Sequence, residues 1–159
     1  TGRPSVPASS CRENGTPDPT GKKHFLLVSE SKTHSQEDDV TLNDVKDILE
    51  AEVIVGRDQL GKEIKTAFSA DLMSDVLAFA KTESLLLTGL TNPQVVRTAD
   101  ILDISAIIMV RGKKPSEETV KLAEQLKIPI LSTKYILFET SGRLHRNGIV
   151  GCIEKVGGE

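Results

Sequence analysis

Three short segments carry the residue types that bind a small anion. They are Thr88-Gly89-Leu90-Thr91-Asn92, Arg111-Gly112-Lys113-Lys114 and Ser132-Thr133-Lys134. Each follows an apolar run and precedes a helical pattern. Free backbone N–H groups and the helix dipole favour negative charge at such a point. Arg111, Lys113 and Lys114 add cationic side chains to the same place. The residues expected to hold a phosphate or nucleotide are Thr88, Gly89, Thr91, Asn92, Arg111, Gly112, Lys113 and Thr133. A plainer reading stays open, in which Thr91, Asn92 and Thr133 are turn and cap residues and the cations form a solvated loop. Glu117 and Glu118 support it, because they already complement the dipole of their helix and would repel an anion.

Other groups offer less. Gly56-Arg57-Asp58-Gln59-Leu60-Gly61-Lys62-Glu63 nearly spells a phosphate loop, but Glu63 stands where a magnesium-binding hydroxyl is needed. The residues after Lys62 also read as a strand, not as the required helix. Asp71 and Asp75, four apart, share a helix face and could hold magnesium, although capping explains them more simply. His145 sits among Arg143 and Arg146 at a helix end and suits dipole complementation. Cys152 has no neighbouring His or second Cys to activate it. No nucleophile elbow is present, and no cofactor is expected.

The elements that must position these loops are legible from Val40 onward. Thr41 caps a helix through Asp44, with Leu42, Val45, Ile48 and Leu49 on one face. Short strands are expected at Glu52 to Val55 and Lys62 to Phe68, the pair adding antiparallel edges. Ser69 or Asp71 caps a helix that turns Leu72, Met73, Val76, Leu77 and Ala80 inward. Ser84 to Thr88, Ala106 to Val110 and Ile128 to Ser132 are apolar strands with evenly spaced centres at Leu86, Ile108 and Ile130. Helices opening at Pro93, Pro115 and about Lys134 alternate with them, and both prolines suit a first helical position. Apolar strands alternating with amphipathic helices require a mostly parallel sheet covered on both faces, a three-layer α/β/α sandwich. Ligands of such sheets bind beyond the carboxyl ends of the strands, where the three loops lie.

The chain has 159 residues and a formal charge of −3, from 20 basic and 23 acidic side chains. That balance argues against nucleic-acid binding driven by charge. With no Trp, one Tyr and four Phe, base-stacking platforms are excluded as well. No apolar run is long enough to span a bilayer, so a cytoplasmic location is expected. Residues 1–39 are rich in Pro, Ser, Thr and Gly and read as a disordered tail. Gln36 to Val40 also admits codons that place a ribosome-binding sequence just ahead of a GTG start, so residues 1–39 are alternatively a mistranslated leader. Residues 40–148 form the domain, and 149–159 read as a flexible tail.

The wording from Ser84 to Leu144 resembles the DRTGG domain and is similar to the related N-terminal domain of HPr kinase/phosphorylase. Leu85-Leu86-Leu87-Thr88-Gly89 gives the first apolar strand and its loop. Arg111-Gly112-Lys113-Lys114-Pro115-Ser116-Glu117 fits an RG-x-x-P-x-E loop, and Ile128-Pro129-Ile130-Leu131-Ser132-Thr133 fits an IP-[IL]-L-x-T strand. The resemblance implies a three-layer fold and a non-catalytic regulatory or oligomerisation module. Such modules stand alone or are joined to phosphotransacetylases and to nucleotide-sensing pyrophosphatases. A homodimer and a possible partner enzyme follow from it. The name-giving Asp-Arg-Thr-Gly-Gly string is absent, with Thr88 to Asn92 in its place, and the kinase half is missing. Alternatives are an interaction adaptor using Tyr135, Ile136 and Phe138, and a metal-dependent enzyme using the Asp71/Asp75 region.

Overall fold

Thr41 opens the first described helix as a reciprocal cap. Its hydroxyl accepts from the Asp44 amide at 3.3 Å, while the Asp44 carboxylate accepts from the Thr41 amide at 2.8 Å. The two hydrogen bonds from Thr41 hold the Asp44 carboxyl below its ordinary pKa. The helix so started, α1 (Leu42–Ile48), buries Leu42 and Val45, with Leu49 just beyond it. The computed structural model describes residues 39–157, and the expectations for residues 1–38 lie outside them.

Eleven further segments follow α1. They are β1 (Glu52–Val55), a 3-10 turn at Arg57–Gln59, β2 (Thr66–Ser69), α2 (Met73–Phe79), β3 (Leu85–Thr88) and α3 (Pro93–Ile101). Then come β4 (Ala106–Met109), α4 (Glu117–Leu126), β5 (Ile130–Ser132), α5 (Leu137–Arg146) and β6 (Val150–Gly151). The strands form one sheet in the order β1-β5-β4-β3-β2-β6. Every pair is parallel except β1 with β5.

Side chains alternate across a strand, so each central strand feeds two cores. Leu85, Leu87 and Ile108 meet Leu42, Val45 and Leu144 from α1 and α5 on one face. Leu86, Ile107 and Met109 meet Val76, Val95, Val96, Ala99 and Ala123 from α2, α3 and α4 on the other. All residues of β3 and β4 are buried, which is why they read as unbroken apolar runs. The three-layer sandwich with a mostly parallel sheet is the architecture expected.

Several details differ from expectation, each for a local reason. The second strand begins at Thr66, not Lys62, and it lies parallel between β3 and β6. The chain before it serves α1 instead: the Leu42 amide donates to the Lys62 carbonyl and the Ile64 amide to the Val40 carbonyl, with Ile64 buried. In α2 only Val76 is buried, while Leu72 and Leu77 are 60% and 44% exposed. Met73 and Ala80 pack partly buried against the same core as Val76, so this two-turn helix turns those three inward and leaves Leu72 and Leu77 outside. Neither Ser69 nor Asp71 caps α2; Leu72 occupies that position with no side-chain hydrogen bond. Pro93 is the first helical residue of α3, whereas Pro115 precedes the true cap of α4, Ser116. The flexible tail does not begin at residue 149. Ile149 is buried, Val150 and Gly151 pair with Thr66 and Ala67, and the Cys152 amide donates to the Ala67 carbonyl. Among the described residues, no helix is long and apolar enough to cross a membrane.

Candidate functional site

At the carboxyl end of the sheet, the loops after β2, β3, β4 and β5 lie side by side, because those strands are parallel neighbours. The loop after β4 turns through two consecutive left-handed residues, Arg111 (φ 66°) and Gly112 (φ 65°). Such a conformation is costly for arginine, and it is held from outside. The Arg111 amide donates to the Tyr135 carbonyl and the Gly112 amide to the Thr133 carbonyl, each at 2.8 Å. The Ser132 hydroxyl donates to the Lys113 carbonyl at 2.7 Å. Three hydrogen bonds thus fasten the β4 loop to the β5 loop.

Held this way, Arg111 lays its guanidinium across Gly89. A Cβ at position 89 would lie 2.7 Å from the guanidinium carbon, so only glycine leaves the space. The guanidinium then faces Asp71, with Nη2 3.4 Å from Oδ2. The other carboxylate oxygen accepts from the Gly89 amide at 2.6 Å and from the Thr88 hydroxyl at 3.0 Å. Thr88 is fully buried, but both Arg111 and Asp71 are about half exposed. Gly89→Ala is expected to push Arg111 off Asp71 and to leave folding stability within about 0.5 kcal/mol, since the obstructed atoms end a flexible side chain. Urea denaturation and the Arg111 side-chain NMR signal check this. A loss typical of a core substitution would show that Arg111 has nowhere to go.

The remaining expected site residues have mixed duties. Thr91 receives the Thr119 hydroxyl on its carbonyl, and Asn92 caps α3 with no side-chain hydrogen bond. Thr133 is buried and its hydroxyl is committed to the Leu49 carbonyl at 2.6 Å. Lys114 pairs with Glu52 at 3.1 Å. Lys113 and Lys134 are exposed and, among the described residues, make no ion pair. Beyond β5, Arg143 stacks 3.9 Å above the Tyr135 ring and bonds Glu139 at 2.8 Å. A hydrogen bond with Glu50, above all, raises the Tyr135 phenol above its ordinary pKa. The structure therefore brings Thr88, Gly89 and Arg111 to one point and spends Thr133 on the framework.

Asp71 is the member whose role sequence reasoning missed. Its contacts are 17, 18 and 40 residues away along the chain, beyond any local pattern. Its carboxylate is engaged with hydrogen-bond donors, and among the described residues no three His, Cys, Asp or Glu side chains gather to hold a metal. Gly56 to Glu63 does not form a phosphate loop, for its glycine leads into a 3-10 turn and the Lys62 amine reaches the Ser105 carbonyl. Cys152 is buried, with Sγ 3.9 Å from the Phe79 carbonyl. His145 lies in the last turn of α5, as a dipole-complementing residue should.

These features define a class: a three-layer α/β/α domain with donors gathered at the carboxyl ends of parallel strands. The chain belongs to the DRTGG domain family, whose model matches residues 44–147. No curated protein matches it. Among solved structures it is similar to the CBS and DRTGG domains of the regulatory region of Clostridium perfringens pyrophosphatase, a complex with the activator diadenosine tetraphosphate. The TM-score is 0.54 at 19% identity, over 65% of this chain and 45% of that one. The chain thus spans less than half the length of that structural neighbour.

Proposed function

We propose that this domain is a non-catalytic regulatory module that binds a phosphorylated small molecule of the nucleotide class at the strand ends. The observation that carries the reading is Arg111, held in a left-handed turn with its guanidinium over Gly89 and two exposed lysines nearby. Planar guanidinium groups and backbone N–H donors suit phosphate oxygens. The nucleotide activator of the pyrophosphatase regulatory region supports the choice of ligand class. The module acts in the cytoplasm, as a homodimer or beside a partner enzyme whose activity it adjusts. Symmetric pairs are the commonest assembly of such small domains.

A thermal-shift panel of ATP, diadenosine tetraphosphate and inorganic pyrophosphate tests it. A ligand at a hundredfold excess over its Kd stabilises the native state by about 2.7 kcal/mol. Arg111→Ala is expected to abolish that shift, and a full shift in the variant would remove the proposed site.

A second reading, an interaction adaptor, is favoured by one observation. Ile136 and Phe138 are 60% and 85% exposed, and Phe138 borders an apolar groove of about 600 Å³ with Leu87, Leu144 and Ile149. Phe138→Ser is expected to convert a self-associated species to monomer in sedimentation velocity. A wild-type chain that sediments as a monomer with no co-purifying partner would end the adaptor reading.

A further inference from the structure

The most unusual group at the strand ends is the Asp71 carboxylate, which sits among hydrogen-bond donors of β3 and β4. Asp71 takes up the Gly89 N–H, the Thr88 hydroxyl and one edge of the Arg111 guanidinium. These donors come from the ends of two adjacent strands, β3 and β4, whereas the carboxylate comes from the connection between β2 and α2. A backbone amide, a hydroxyl and a guanidinium turned on one point form a set that a phosphoryl oxygen would use. We infer that Asp71 is a resident substitute for the ligand's anion: it occupies the donors in the empty domain, and a phosphorylated ligand binds by taking its place. This inference rests on the anion-binding reading of the strand ends.

Three observations separate a displaceable occupant from a fixed brace. Both charged partners are about half exposed, with side-chain accessibilities of 46% for Arg111 and 45% for Asp71, so a solute can reach them. The ion pair has one contact at 3.4 Å, not a bidentate clamp, so Arg111 keeps donors for an incoming anion. The segment carrying Asp71 is lightly held on its far side. The Ala70 amide is anchored on the Leu87 carbonyl, but Leu72 beyond it is 60% exposed and α2 buries only Val76. Elements with few buried contacts open at low free-energy cost.

The exchange is purely non-covalent. Phosphoryl oxygens accept the Gly89 N–H, the Thr88 hydroxyl and the Arg111 fork, and the released carboxylate is hydrated. The ligand's apparent affinity is its intrinsic affinity multiplied by the fraction of molecules in which Asp71 is unseated. The β2–α2 connection is then the part of the fold that registers occupancy.

Isothermal titration of the full chain with ATP and with inorganic pyrophosphate tests the proposal. Asp71→Asn keeps the size of the side chain and removes its charge, and it is expected to bind about tenfold tighter than the wild type, equivalent to about 1.4 kcal/mol. Asp75→Asn is the control, removing an equal charge four residues further along. A gain confined to Asp71→Asn supports displacement. An equal gain in Asp75→Asn overturns it in favour of general repulsion. Unchanged or weaker binding by Asp71→Asn, with Arg111→Ala still losing the probe, overturns the inference and leaves the anion site standing. No binding of either probe by wild type and Asp71→Asn overturns both. Should Asp71→Asn misfold by circular dichroism, the wild-type Gly89 amide is followed by NMR during pyrophosphate titration. A saturable shift there, with weakened hydrogen-exchange protection at Val76, supports exchange of occupants; an unmoved Gly89 signal under saturating probe overturns it.

Discussion

Ile108→Ala is expected to cost about 2–5 kcal/mol of folding stability, a large part of what a domain of this size possesses. Ile108 is fully buried on β4, a strand with parallel neighbours on both sides, where it stands opposite Leu87 and Leu131. It shares a core with Leu42, Val45, Leu49 and Leu144. Leu87 and Leu131 are fixed by their ladders and α1 by its cap, so the surroundings cannot collapse into the space. The cost then includes both the lost transfer free energy and the cavity. Ile108→Val, which removes one methyl, is expected to cost about 0.5–1.5 kcal/mol. Urea denaturation with an unchanged m-value is the measurement. A change within about 0.5 kcal/mol for the alanine variant would mean that Ile108 does not pack as described.

The second large effect is conformational. Gly56 ends β1 with φ 86°, and a Cβ there would lie 2.9 Å from both Cα and Cβ of Pro129. Pro129 cannot give way, because its carbonyl accepts from the Ile107 amide at 2.9 Å where β4 meets the start of β5. Gly56→Ala combines a left-handed backbone penalty of about 1–2 kcal/mol with overpacking of about 1–3 kcal/mol. Gly61, in the same connection, has nothing within 4 Å of an added Cβ and no positive φ. Gly61→Ala is therefore expected to be neutral or stabilising by up to about 1 kcal/mol, through the unfolded chain. Equal losses at the two positions in chemical denaturation would contradict this account.

The parts of this fold that sequence reveals are those in which one physical demand dominates. β3, β4 and β5 are buried on both faces, so the hydrophobic requirement is written residue after residue. The Thr41–Asp44 cap is local, and the β1 boundaries follow from a short apolar run ended by Gly56. Where demands compete, the pattern fails. Ile64 resembles a strand residue but is recruited to the α1 core. β6 consists of two exposed residues, Val150 and Gly151, whose pairing leaves almost no hydrophobic signature. Leu72 and Leu77 look like inward residues of a helix that is too short to turn them all inward.

The candidate site divides in the same way. The loops were legible because parallel strands must end on one side of the sheet. Asp71 was not, since nothing near it in sequence reports a carboxylate reaching across to Gly89. The family's name-giving string is missing as a contiguous run. The left-handed turn at Arg111 is equally silent, because arginine carries no conformational preference that would announce it.

The two margins of the sheet have a consequence for how copies of this chain behave when crowded. β1, at one margin, breaks its register between Val53 and Val55, and β6, at the other, is only two residues long. An irregular strand and a very short one are poor templates for adding a foreign strand. Neither border offers the long, flat row of unpaired amides on which fibrils grow, so the buried apolar strands between them are shielded from aggregation by the shape of their neighbours.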